Sequence, residues 1–459
     1  MLFSMVACAA PAPAAPAAEP APAAEPAAPA AEPAAEVAAE PAAEQGKVFN
    51  IYCWNDEFQT RFKTFFEDKG LVPEGITVNW VQTPSADNAY QNKLDEALLG
   101  QEAAAADDKV DMFLIEADYA LKYVNSDYTL DVINDLGLTD ADVANMYQYT
   151  KDVCTDANGA LKGVSWQACP AGLIYRRTIA KDVLGTDDPA AVQEALNDWT
   201  KFETVAADAK AKGYNMVAGF DDDYRVFSNN VSKPWVDENN KIQIDDSIKA
   251  WVKQTKEFTD KGYNTKAILW SDEQWAGAKA DGKTMCYFGP AWFFDFSLCP
   301  NTLADAEKGN VVGNGSYGDW AIVKGPQGYF WGGTWICGAA GTDNAELVKQ
   351  VMLTLTCDTE TLVEIVKQYN DFTNSVPAME EMAADTTYGS DFLGGQNFIS
   401  VLLDSATSID LSNTCAYDQG CNEKFQEAMR GYFNGTVTEE EATQNFYTLV
   451  TEMYPDLTY

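Results

Sequence analysis

The chain has 459 residues and no histidine. Ser–His–Asp and Cys–His nucleophiles and every histidine-based zinc site are therefore closed to it. The side chains left to act on or hold a molecule are carboxylates, amides and aromatics. Trp54, Asn55, Asp56 and Glu57 stand together where an apolar run ends, and Glu116 and Asp118 follow a second such run. Carboxylates and amides supply planar hydrogen-bonding groups, and tryptophan supplies a flat apolar face at little entropic cost. That combination suits gripping a small molecule. The competing reading is structural: Trp54 in the core, and acids favouring the first turn of a helix. Paired carboxylates also cleave glycosides, but they must face each other about 5–10 Å apart across a bond, and no pair announces itself here.

Three further patterns carry less. Gly313, Gly315 and Gly318 match a dinucleotide fingerprint, yet Asp319–Val323 reads as strand where the fingerprint requires a helix. Asp221, Asp222 and Asp223 form a run that suits a solvated loop or a calcium site, without the alternating ligands of a calcium loop. Ten cysteines include no CxxC pair, so no metal site is expected. Cys53, Cys286 and Cys337 lie in apolar runs as small hydrophobes, while Cys415 with Cys421, and Cys286 with Cys299, are close enough in sequence to bridge.

Asp and Glu total 70 against 31 Lys and Arg, a formal charge of −39. Residues 1–46 hold six Glu and no base, so −33 belongs to the remainder. Such a surface repels phosphate backbones and excludes nucleic acid as a partner. Residues 9–46 are nearly all Ala, Pro and Glu. Frequent Pro blocks a continuous helix and nothing there builds a core, so a disordered tether is expected, reaching on the order of 100 Å. Before it, residues 1–8 resemble the end of a lipoprotein signal, with small residues approaching Cys8 as the lipidated residue. No other segment is apolar for long enough to span a membrane.

From Lys47 onward, strands alternate with helices, the pattern of an α/β sheet with crossovers. Val48–Trp54, Ile76–Val81 and Val110–Ile115 read as strands. Phe58, Phe62, Phe65 and Phe66 share one face of an intervening helix that Gly70 stops. Leu161–Trp166, Gly172–Arg176, Thr284–Gly289, Trp320–Val323 and Trp335–Ala339 read as extended. Helices are expected at Tyr90–Leu99, Trp199–Lys212 and Trp251–Asp260, and Thr438 with Glu441 forms a capping box for the last. The length suits two lobes better than one core.

In order and spacing, several blocks resemble extracellular solute-binding proteins of the carbohydrate type, maltose-binding proteins among them: Val48–Trp54 with its helix, Asp111–Asp118, Leu161–Gln167 followed by Gly172–Arg176, Asp198–Phe202, Ala278–Trp292, Trp331–Trp335 and Thr373–Pro377. The resemblance covers Lys47 to the end. It implies a two-lobed α/β periplasmic-binding-protein fold of type II with the ligand in the cleft. Lobe 1 would be 47–166 plus 336–388, and lobe 2 would be 167–335 plus 389–459. It implies an anchored lipoprotein on the extracellular face of a bacterial membrane. Acting as a monomer without cofactor or metal, it would pass a sugar or oligosaccharide to ABC permease subunits and perform no chemistry. It adds Trp166 and Gln167 at the first crossing, Asp221 or a neighbour with Tyr224, Trp292 after Gly289 and Pro290, Asp295, and Trp331 and Trp335 around Gly332 and Gly333 as ligand contacts. A cationic ligand such as a polyamine is the second reading, since acids among Trp walls also suit cation–π contacts; the number of cleft acids without a basic partner separates the two.

Overall fold

A computed structural model describes residues 46–459, which fall in one compact unit. The expected tether and Cys8 lie outside the described residues. Two sheets organise what is described. The first, in the order β2-β1-β3-β8, uses β1 (Val48–Cys53), β2 (Thr77–Gln82), β3 (Met112–Glu116) and β8 (Thr334–Gly338). The second, in the order β5-β4-β6, uses β4 (Pro170–Arg176), β5 (Cys286–Pro290) and β6 (Trp320–Val323), with β7 (Tyr329–Phe330) also paired to β4.

Burial explains the strands. Met112–Ile115 of β3 is buried between β1 and β8, and all seven residues of β4 are buried. Central strands covered on both faces read as continuous apolar runs. β1 pairs in parallel with β2 and β3, as crossovers require, whereas β8 returns antiparallel to β3. The second sheet departs from the expected parallel pattern: β5, β6 and β7 all run against β4. Pro290 ends the edge strand β5, where no further donor is needed.

The phenylalanine face behaves as its spacing implies. Phe58 and Phe62 on helix α1 (Glu57–Phe62), and Phe65 and Phe66 on the π-helical turn after it, are all buried. The Thr438–Glu441 capping box forms. No helix opens after Gly318, where β6 follows, so the dinucleotide pattern lacks its helix. Leu161–Trp166 is not a strand; it makes isolated bridges at Leu161 and Val164. Val164 exchanges backbone hydrogen bonds with Ile336, and the segment packs closely there: a Cβ on Gly163 would stand 2.9 Å from the Cys337 sulfur.

The sheets share the chain unevenly. The first takes strands from 48–116 and 334–338, and the second from 170–330, so the backbone passes from one sheet to the other between Glu116 and Pro170 and returns between Phe330 and Thr334. The boundary expected at 335/336 thus falls inside β8. No described helix is long and apolar enough to cross a membrane. The nine described cysteines are unbridged, so neither expected pairing forms. Cys415 instead donates its thiol hydrogen to Asp418.

Candidate functional site

A cavity of about 720 Å³ opens between the lobes. Its first-lobe wall comes from the C-terminal ends of parallel strands, the usual ligand side of an α/β sheet. β1 leads into Trp54, Asn55 and Glu57, and β3 leads into Glu116, Asp118 and Tyr119. Gln167 and Thr334 come from the crossings. The second-lobe wall holds Asp221, Arg225, Trp270, Trp292, Phe296 and Trp331, with polar side chains from the helix Asp418–Phe433.

The aromatics cluster. Trp292 and Trp331 have centroids 5.2 Å apart at 68°, and the Trp292 indole N–H donates to the Trp331 carbonyl at 3.1 Å. Trp270 lies 6.3 Å from Trp292 at 29° and 5.6 Å from Trp331. Across the cavity, Trp54 meets Tyr119 edge-on at 6.3 Å. Gly332 makes this packing possible: its φ is +70°, and a Cβ there would stand 3.1 Å from the Trp292 ring and 3.5 Å from the Glu116 carboxylate.

The carboxylates are held rather than free. Arg225 grips Asp118 with both terminal nitrogens, Nη1 reaching Oδ1 at 2.8 Å, and its guanidinium lies 5.8 Å from the Trp331 ring centroid. This fork joins the β3 end of the first lobe to the helix Tyr224–Ser228 of the second. Glu57 accepts from Gln167 Nε2 at 2.7 Å and lies 3.8 Å from Arg61. Burial pushes Glu57 up to about 7, against the pull of Arg61. Glu116 is raised well above its ordinary value by burial, then by the Asp118 carboxylate, with Arg225 acting the other way. Asp221 is raised by burial, and Arg430 lies 3.4 Å from it.

Of the residues singled out from the sequence, Trp54, Asn55, Glu57, Glu116, Asp118, Gln167, Asp221, Trp292 and Trp331 border the cavity. Five do not. Trp166 is fully buried against Phe58 and donates its indole N–H to Asp371 at 3.0 Å. Trp335 is buried and donates to the Thr150 carbonyl at 2.8 Å. Tyr224 is buried edge-on to Trp251 and donates to Asn422 at 2.6 Å. Asp56 points to solvent just before α1. Asp295 turns to Asn370 Nδ2, 3.0 Å away, a contact that also joins the lobes, and burial lifts it to about 6. The acidic run is neither a solvated loop nor a calcium loop: Asp222 is engaged by Gly219 and Gln274, and Asp223 by Gln254. No group of potential metal ligands occurs among the described residues.

Sequence reasoning missed Arg225, Tyr119, Arg430 and Trp270. Arg225 had a signal, a cation closing an acidic run. Trp270 had another, an indole placed just before Ser271, which caps the next helix. The Trp270 φ of +70° is strained for a bulky residue, a mark common at binding sites.

The buried acids make a pH prediction. Burial raises Glu57, Asp223 and Asp418 to about 7, and Asp222 and Asp295 to about 6. A carboxyl whose folded pKa exceeds its unfolded one binds more protons in the folded state, so its contribution is lost as pH rises through the folded value. Repulsion within the acidic surface acts in the same direction. The unfolding midpoint is expected to fall between pH 5 and pH 8 in scanning calorimetry; an equal or higher midpoint at pH 8 contradicts this assignment.

Two lobes around a cleft lined with aromatics and paired acids define a binding protein of the bilobal extracellular class. The chain belongs to the bacterial extracellular solute-binding protein family, whose model matches residues 60–392. Solved structures share the fold. An extracellular solute-binding protein of family 1 superimposes with a TM-score of 0.72 at 17% identity, covering 88% of this chain and 99% of its own. A Bifidobacterium animalis subsp. lactis ABC-transporter binding protein, in complex with β-1,6-galactobiose, gives 0.65 at 16% identity, covering 89% and 98%. An ABC substrate-binding protein of Listeria monocytogenes, in complex with cycloalternan, gives 0.63 at 14% identity, covering 90% and 100%. No curated protein matches in sequence.

Proposed function

We propose that this protein captures a neutral saccharide between its lobes and hands it unaltered to the permease of an ABC importer. The observation that carries this is the pairing within the cavity. Trp270, Trp292 and Trp331 stand across from Trp54 and Tyr119, while Asp118, Asp221 and Glu57 each have an arginine within 4 Å. Flat faces meet the C–H surfaces of sugar rings, and acids fixed by cations accept hydroxyl hydrogens. A cationic ligand needs acids without such partners. Of the cavity acids, Glu116 and Glu423 have no basic group within ion-pair distance among the described residues; burial raises Glu116 well above its ordinary value, which favours its neutral form, whereas Glu423 is exposed on the helix Asp418–Phe433. Two fold relatives are in complex with saccharides, which supports the same reading.

On this reading lobe 1 comprises 47–166 with the chain from Thr334 to 388, lobe 2 comprises 167–333 with 389–459, and the protein acts as a monomer. A thermal-shift panel of oligosaccharides and polyamines tests the ligand class, because binding to the folded state alone raises the midpoint. A saccharide is expected to give the largest rise; a rise with polyamines only overturns the proposal. Glycans incubated with the protein are expected to return uncut in chromatography, and products above those of a heat-inactivated control overturn the absence of chemistry. Lipid on Cys8 is the proposed anchor. Cells producing the Cys8→Ser form of a full-length precursor are expected to release it into the medium, and unchanged membrane retention contradicts the anchor.

A further inference from the structure

The cavity has an aromatic edge that does not end at its mouth. Trp270 and Phe296 both border it, yet they are 49% and 47% exposed. The lobes already touch through Asp118–Arg225 and Asn370–Asp295, so this edge stays open while the cleft is bridged. Its position is built in. Trp270 adopts a φ of +70° and its backbone N–H donates to Gln274 Oε1 at 2.7 Å, which fixes the loop that carries the indole. Phe296 projects from the π-helical turn Phe293–Leu298 directly after β5, a local geometry frequent at functional sites.

Aromatic residues thus border the cavity at three stations: Trp54 with Tyr119, Trp292 with Trp331, and then the exposed Trp270, which extends the second station outward from 6.3 Å beside Trp292, with Phe296 exposed on the same border. A polar track accompanies them. Gln419, Glu423, Gln426, Glu427 and Arg430 all border the cavity from the helix Asp418–Phe433. At 1.5 Å rise per residue, that helical face runs roughly 16 Å.

We propose that Trp270 and Phe296 form an outer subsite receiving the part of a saccharide chain that projects from the cavity, so that the ligand is an oligosaccharide of at least three rings. This rests on the saccharide reading above and specifies chain length. One ring stacks at each station, and the outermost remains partly in solvent with its end free. A monosaccharide or disaccharide fills the inner stations and leaves the rim bare.

The test is calorimetric titration of the full chain with four ladders, α-1,4-gluco-, β-1,4-gluco-, β-1,4-xylo- and β-1,4-manno-oligosaccharides, each from one to five rings. For the ladder that binds, affinity is expected to step up about tenfold between two rings and three or four, the scale of one aromatic contact. Trp270→Ala and Phe296→Ala are each expected to remove most of that step, weakening the longer members much more than the disaccharide. Because both side chains are half exposed, the unfolding midpoints of the variants report whether the fold is retained. Affinity already maximal at two rings, or an equal loss at every length in both variants, overturns the outer subsite while leaving the saccharide reading intact. Binding by no member of any ladder, alongside binding of spermidine, overturns both.

Discussion

Replacing Trp292 by alanine is expected to lower ligand affinity roughly ten- to hundredfold while the protein remains folded. Trp292 follows the Gly289–Pro290 end of β5, is half-buried, and shares the cavity wall with Trp270 and Trp331. Its indole N–H is occupied by the Trp331 carbonyl, which fixes the ring plane, and Trp270 lies 6.3 Å away at 29°, so the ring is part of a continuous aromatic wall. Losing one such face costs about 1–3 kcal/mol of binding. Calorimetric affinity and the urea midpoint, measured on the same preparation, decide the matter. Intact affinity with a large loss of stability would make Trp292 a packing residue and remove the middle of the aromatic wall.

Trp166→Ala is expected to do the reverse. Trp166 is fully buried, tilts against Phe58 with centroids 5.1 Å apart, and donates to an Asp371 that Arg61 also approaches. Truncation opens a cavity and takes a donor from a buried carboxylate, for a cost of roughly 3–5 kcal/mol. The urea midpoint should fall sharply, with the slope of the transition unchanged. A shift of less than about 1 kcal/mol contradicts this placement.

These two tryptophans show how far the sequence can be read. Both stand beside plausible ligand contacts, and both fall in blocks resembling known binding proteins. Strand ends were legible because an apolar run that stops at Trp54 or Glu116 marks the edge of a sheet. Whether an indole then turns into the cleft or into the core depends on its partners, which lie far away in the chain: Asp371 for Trp166, Thr150 for Trp335 and Trp331 for Trp292. No local pattern encodes those pairings. The Asp221–Asp223 run misleads for the same reason, since Gln254, Gln274 and Arg430, which engage its carboxylates, come from other elements. The second sheet was hidden differently. Short apolar strands do not reveal their direction, so β5 and β6 running against β4 could not be read from composition.

The arginine partners of Asp118, Asp221 and Glu57 favour a neutral ligand, and the salt dependence of binding distinguishes it from a cation. Wild-type protein is titrated calorimetrically with the best saccharide of the panel and with spermidine, each at low and high ionic strength. Contacts to a neutral sugar are not screened, whereas attraction between a polycation and exposed acids weakens as the Debye length shrinks. Saturable one-to-one saccharide binding whose affinity is unmoved by salt is expected, with no saturable spermidine binding. Tight spermidine binding that collapses at high salt, with no saccharide bound at either ionic strength, would contradict the saccharide reading.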